Sequence, residues 1–150
     1  MVSNWAQGGS QINLLESRVA ELPLGSYDVA IVITGLNDTT VRPLDEWSPR
    51  YKAAIEKLES AGLTVVIGTA PPALEGGVFT DRFAAVADEL RAIAGTRPML
   101  DLEQDWRELG AETAGGYYLD VIHQNAAGQA VIAERARSVL DEILTGANAP

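Results

Sequence analysis

The only histidine of the chain, His123, stands three residues after Asp120 in the stretch Asp120-Val121-Ile122-His123. A carboxylate on one imidazole nitrogen fixes the tautomer and stabilises the imidazolium, leaving the other nitrogen to act as a base. A histidine by itself is more often a surface or packing residue; the neighbouring acid singles this one out. Two further segments carry groups suited to a developing oxyanion. Gly35-Leu36-Asn37-Asp38 offers the side-chain amide of Asn37, although Gly-x-Asn-Asp is also ordinary turn chemistry. Asn4-Trp5-Ala6-Gln7-Gly8-Gly9 offers the backbone N–H of Gly9, with no side chain to block an approach. Asn125 and Gly128, just past His123, suit a helix cap and close packing.

These groups need elements to hold them. Ile12, Leu15, Val19 and Leu22 share one helical face, ended by Pro23. Tyr27 to Thr34 is a nearly continuous apolar run, as in a strand covered on both faces. Ser48-Pro49 reads as a cap and first turn of a helix carrying Tyr51, Ala54, Ile55 and Leu58, with Gly62 as its stop. Leu63 to Thr69 is the next buried strand, closed by Pro71-Pro72. A loop over 73–80 follows. Asp81 is expected to cap a helix bearing Phe83, Val86, Ala87, Leu90 and Ile93. Met99 to Leu102 is a short strand, 103–109 a helical turn and 110–116 a loop. Asn125 opens the last helix, with Ile132, Ala136, Val139 and Ile143 on one face. The alternation of strands and helices implies crossover units and a mostly parallel sheet. Ligands of such sheets bind beyond the carboxyl ends of the strands, where the Gly35 loop falls.

A chain of 150 residues, 47% apolar and 21% charged, has room for one globular domain, 1–150. Its net charge of -10, with no cluster of Lys or Arg, argues against nucleic acid or an anionic membrane surface as partner. The absence of Cys excludes a disulfide, a thiolate nucleophile and a Cys-type zinc site. The longest apolar runs are strand-sized, so no membrane span is expected. No signal peptide follows Met1; if Met1 is the true start, the expectation is a cytoplasmic protein.

Taken together, the three segments resemble the SGNH/GDSL hydrolases, a family of esterases, lipases and acyl-ester hydrolases. NWAQGG is similar to the family's second block, GLND to its third (Gly-x-Asn-Asp), and DVIHQNAAG to its fifth (Asp-x-x-His). Gly-x-Asn-Asp alone is a weak signal. After an apolar strand, with Asp-x-x-His some 85 residues later before a terminal helix, it is strong. The resemblance covers nearly the whole chain. It implies a three-layer α/β/α sandwich with a parallel, flavodoxin-like sheet. It further implies that His123 and Asp120 belong to the catalytic triad, and that Gly9 and Asn37 are the oxyanion donors. Asn4, Asp38 and Tyr118 are expected at the substrate. Trp5, Trp47, Phe79 and Tyr117 are further candidates for lining an acyl or sugar pocket, some of which simply pack. The reaction of the family needs no metal and no cofactor.

The family's first block, Gly-Asp-Ser with the nucleophilic serine, would lie upstream of Asn4, and three residues precede Asn4 here. The expectation is therefore a sheet whose first strand is missing from this chain, and a serine that is not at its family position. Ser3 and Ser10 are poor substitutes, and Thr39 and Thr40 read as turn residues. In the family's strand order, 2-1-3-4-5, the missing strand would border Tyr27 to Thr34. An uncovered apolar edge is an aggregation template, so a monomer of these residues alone is expected to be poorly stable. An N-terminal companion fragment, or a second copy forming a homodimer, would cover that edge. The first function implied is an ester hydrolase or acyltransferase acting on a small ester or acylated substrate. The alternatives are a general-base enzyme using Asp120 and His123 without a covalent intermediate, and a non-catalytic binding or interaction subunit.

Overall fold

The computed structural model describes residues 2–74, 79–110 and 115–146. The expected loops over 73–80 and 110–116 fall partly outside the described residues, as does the tail beyond 146. Three strands form one sheet: β1 (Val29–Ile33), β2 (Thr64–Thr69) and β3 (Met99–Asp101). All neighbours are parallel, in the order β1-β2-β3, with Val29 opposite Thr64 and Ile67 opposite Met99. The α-helices described in full are α1 (Ile12–Glu21), α2 (Leu44–Ser60), α3 (Thr80–Ala94), α4 (Leu102–Leu109) and α5 (Ala126–Thr145).

The period-two alternation of strand side chains divides the core into two layers. Val32, Val65 and Ile67 point to one face and pack with Ile12, Trp47, Tyr51, Ile55, Val86 and Leu90 of α1, α2 and α3. Val66 and Leu100 point to the other face and pack with Leu102 and Trp106 of α4 and with Val131, Ile132, Val139 and Ile143 of α5. The result is the expected α/β/α sandwich. Tyr51 ties the first layer to the sheet, its hydroxyl donating to Val32 O at 3.3 Å and its ring lying 4.8 Å from that of Trp47.

The second layer is thinner. Within α5 only Gly128 is fully buried. At β1, Ile31 and Ile33 are 38% and 43% exposed, although they share a face with Val29. Among the described residues β1 pairs with β2 alone, so its other edge carries unpaired N–H and C=O groups. Ile33 lies across β2 at Gly68, where a Cβ would come 2.5 Å from Ile33 Cγ1.

Two expected helix starts are corrected. α2 begins at Leu44, not at Ser48, and Pro49 sits inside it. The first turn carries Asp45 and Glu46, which favour the positive end of a helix. It also buries Trp47, and these gains outweigh the backbone hydrogen bond that Pro49 lacks. Ser48, taken for the cap, is buried with its hydroxyl donating to Glu89 of α3. Asp81 is not a cap but the second residue of α3, in its acidic first turn. Asn125 does cap α5, accepting from Gly128 N at 3.0 Å.

One network of buried and half-buried charge joins α3 to the ends of β2 and β3. Arg91 of α3 reaches Asp101 at 2.7 Å and Glu103 at 2.6 Å, and Thr69 Oγ1 accepts from Glu103 N at 2.9 Å. These contacts tie the ends of β2 and β3 to α3 and α4. Each acid is thereby paired, as burial demands.

After β1 the chain turns at Gly35, with φ +117, directly over Trp47. A Cβ there would lie 2.7 Å from Trp47 Cζ2. The substitution Gly35→Ala therefore combines backbone strain with overpacking, and is expected to cost about 2–4 kcal/mol in a urea unfolding curve. A loss within experimental error would show that Trp47 yields freely.

Candidate active site

The strand β1 ends in the loop that carries Asn37. This residue precedes a 3-10 turn over Asp38–Thr40. The turn is closed by its own side chains: Thr39 Oγ1 donates to Leu36 O at 2.8 Å and Thr40 Oγ1 to Asn37 O at 2.7 Å. Both threonines act as turn residues, as expected. Asn37 is exposed, and its Nδ2 donates to Ser10 O at 3.1 Å. An amide nitrogen carries two hydrogens; with one directed at Ser10, the other has a defined direction.

Ser10 belongs to the turn that holds Gly9. Ser10 N donates to Gln7 O at 3.1 Å, and Gly9 takes φ +72, a value that favours glycine. Asn4 is exposed and accepts from Ala6 N at 2.9 Å. Trp5 is exposed as well, and the Arg18 guanidinium lies 5.4 Å from its ring centroid. The structure thus joins Gly9–Ser10 to Asn37 through a direct hydrogen bond between their loops.

Asp38 lies on the opposite side of the same turn from the place expected for a substrate contact. It is fully buried. Its two carboxylate oxygens accept from Ile12 N at 3.1 and 3.0 Å, and Arg42 Nε stands 3.1 Å from Oδ1. Burial raises its pKa, opposed by the Ile12 N–H and the Arg42 charge. The carboxylate faces the chain, not a ligand.

The second loop is a short hairpin. Tyr118 and Gln124 form an antiparallel bridge, Leu119 N donates to His123 O at 2.7 Å, and Asn125 N donates to Tyr117 O at 2.9 Å. Gly128 admits this hairpin to the first turn of α5; a Cβ there would collide with Tyr117 O. At the tip, Asp120 Oδ1 accepts from Ile122 N and His123 N, each at 2.8 Å. Its Oδ2 lies 2.8 Å from His123 Nδ1. With the carboxylate ionised, Nδ1 carries the proton and Nε2 is left as acceptor. The ring is 70% exposed.

Two contacts seat the hairpin on the loop that follows β2. Leu74 N donates to Val121 O at 2.9 Å, and the Tyr118 hydroxyl donates to Pro72 O. Burial pushes the Tyr118 phenol up to about 12. Tyr118 thereby latches the hairpin to the loop after β2, with its ring half-buried. Because β1 and β2 are adjacent and parallel, the Asn37 loop and the Pro72–Leu74 loop leave the sheet at the same edge. Of the other aromatic candidates, Trp47 is buried under Gly35, Tyr117 packs edge-on against Trp106 at 6.0 Å, and Phe79 packs on Phe83 at 6.0 Å. Among the described residues no group of three or more His, Asp or Glu side chains is placed to hold a metal ion.

The pairing at the tip has a pH signature. The backbone N–H of Ile122, the His123 ring and the His123 N–H together lower the Asp120 pKa to about 2. A depressed carboxyl gives its support above the ordinary pKa near 3.8 and loses it as pH falls through 2. Carbon-13 NMR of the Asp120 carboxyl should show that low midpoint. His123→Ala should raise it part of the way, since the two backbone donors stay. An ordinary midpoint in the unaltered chain would contradict the hairpin geometry.

No family model matches the chain, and no curated protein matches it. Solved structures do. An acetyl xylan esterase aligns with 88% of this chain and 77% of its own, at 21% identity and a TM-score of 0.78. A putative acylhydrolase from Bacteroides fragilis aligns with 91% of this chain and 73% of its own, at 18% identity and a TM-score of 0.78. A GDSL-like lipase from Bacteroides thetaiotaomicron aligns with 93% and 73%, at 13% identity and a TM-score of 0.71. At such low identities the shared property is the fold: the chain carries the α/β/α fold of these esterase, acylhydrolase and GDSL-like lipase structures.

Proposed function

We propose that this chain supplies the base and the oxyanion donors of an SGNH-type ester hydrolase or acyltransferase. The observation that carries this reading is the 2.8 Å contact of Asp120 with His123 Nδ1, on a hairpin held at the carboxyl edge of a parallel sheet. The esterase and acylhydrolase names of the structural neighbours support it.

In this reading His123 Nε2 takes the proton of a serine hydroxyl as its oxygen attacks the acyl carbon of an ester. Charge develops on the carbonyl oxygen, where the Gly9 N–H and the second hydrogen of Asn37 Nδ2 stabilise it. The imidazolium, steadied by Asp120, then gives its proton to the leaving alkoxide. Water repeats the sequence on the acyl-enzyme and releases the acid; another alcohol in its place gives acyl transfer. The step uses no metal and no cofactor. Asn4 and the exposed Trp5 precede the Gly9 turn and are the residues this reading assigns to an acyl or sugar group.

In this reading another segment or chain is proposed to supply the serine. Ser10 lies in the turn that carries Gly9, its backbone bonded to Gln7 and Asn37, and is not the serine of this reading. The same companion would cover β1, whose free edge and half-exposed Ile31 and Ile33 call for a further strand. A second copy of the chain would serve the edge equally well, though it would not bring a serine at the family position.

Two measurements test this. In the presence of the companion that supplies the serine, hydrolysis of p-nitrophenyl acetate should fall by on the order of 10³ or more on His123→Ala, and mass spectrometry should trap the acyl group on the companion's serine. Turnover indifferent to that substitution removes His123 from the reaction. Turnover that needs His123 but never yields an acyl-enzyme points to direct general-base attack by water. Light scattering should show a dimer or a complex; a stable, concentration-independent monomer would contradict the need for a partner at β1.

A further inference from the structure

The N-terminus of α1 lacks a local cap. Gln11 stands at the capping position and makes no side-chain hydrogen bond to the helix. Asp, Asn, Ser or Thr at that position would satisfy an orphan N–H at little cost. Here the Ile12 N–H is taken instead by a carboxylate 26 residues away in sequence, fully buried at Asp38. Burying a charge is a costly way to cap a helix. Arg42 offsets that cost, at 3.1 Å from Asp38 through Nε and 3.3 Å from Gln11 Oε1 through Nη2.

The geometry shows what the long-range cap achieves. Asn37 and Asp38 are adjacent, and they grip Ser10 and Ile12 respectively. The span from Gly9 to Ile12 is thus held at two points by two consecutive residues of the loop after β1. A local cap would have ordered α1 without fixing it to that loop.

We propose that Asp38 is a positioning residue, whose buried carboxylate sets the Gly9 turn and the Asn37 amide at a fixed separation. The inference rests on the reading of Gly9 and Asn37 as the two oxyanion donors. Preorganised donors stabilise a developing charge without reorganising when it forms, and small misplacements are felt in the rate.

The test separates positioning from stability. Asp38→Asn should lower the melting temperature. Adding Gln11→Asp supplies a local cap and should restore most of it. In the double variant, the NMR cross-relaxation between the Asn37 side-chain amide and Ser10 should remain lost or weakened. Where the unaltered protein turns over p-nitrophenyl acetate, kcat of the double variant should be down about 10- to 100-fold, with KM within about twofold. Recovery of the Asn37–Ser10 signal together with the melting temperature would overturn the proposal, leaving Asp38 a helix cap and nothing more. The NMR arm needs no turnover, so it decides this point even if the esterase reading fails. If Asp38→Asn does not fold alone, the comparison runs between Gln11→Asp and the double variant.

Discussion

Everything at the candidate site depends on the parallel pairing of β1 with β2. Two adjacent strands running the same way must release their following loops at one edge of the sheet. The five registered pairs from Val29–Thr64 to Ile33–Gly68 therefore bring together segments far apart in sequence. The Asn37 loop leaves β1 there, and the Pro72–Leu74 loop leaves β2. The hairpin of Asp120 and His123 attaches to the second of these, through Tyr118 and Val121. The Gly9 turn attaches to the first, through Ser10 and Ile12. Chemistry distributed over four stretches of chain thus rests on one ladder.

The sequence reveals the parts of this arrangement that are local. β1 and β2 are legible because strands buried on both faces need nearly continuous Val and Ile. The pairing of Asp120 with His123 is legible because their spacing lets one loop close on itself, and Asn125 because capping is a short-range device. The Ser48-Pro49 pair imitates a helix start, but the helix begins one turn earlier, at Leu44, and buries Trp47. The roles of Asp38 and Tyr118 are not legible. Each acts on a partner many residues away, Ile12 and Pro72, and no local pattern announces such a contact. An adjacent amide and acid, one facing out and one facing in, was the available hint at Asn37-Asp38.

Polar groups in this protein serve two separable ends. Arg91, Asp101, Glu103 and Thr69 bind the ends of two strands to two helices, well inside the chain's own contacts. Asp120, Asn37 and Gly9 instead orient groups that remain accessible. The contrast is visible in exposure: Glu103 is buried and satisfied within the fold, while the His123 ring stands mostly in solvent.

The cap on α1 also constrains the order in which the chain can assemble. With no side-chain cap at Gln11, the Ile12 N–H gains its partner only after β1 and the turn behind it have formed. Contacts across such sequence separations are made late, because closing the intervening loop must come first. Native-state opening follows the same logic in reverse: the segment before α1 comes away only when Asp38 and Asn37 release their holds together and Ile12 leaves the core.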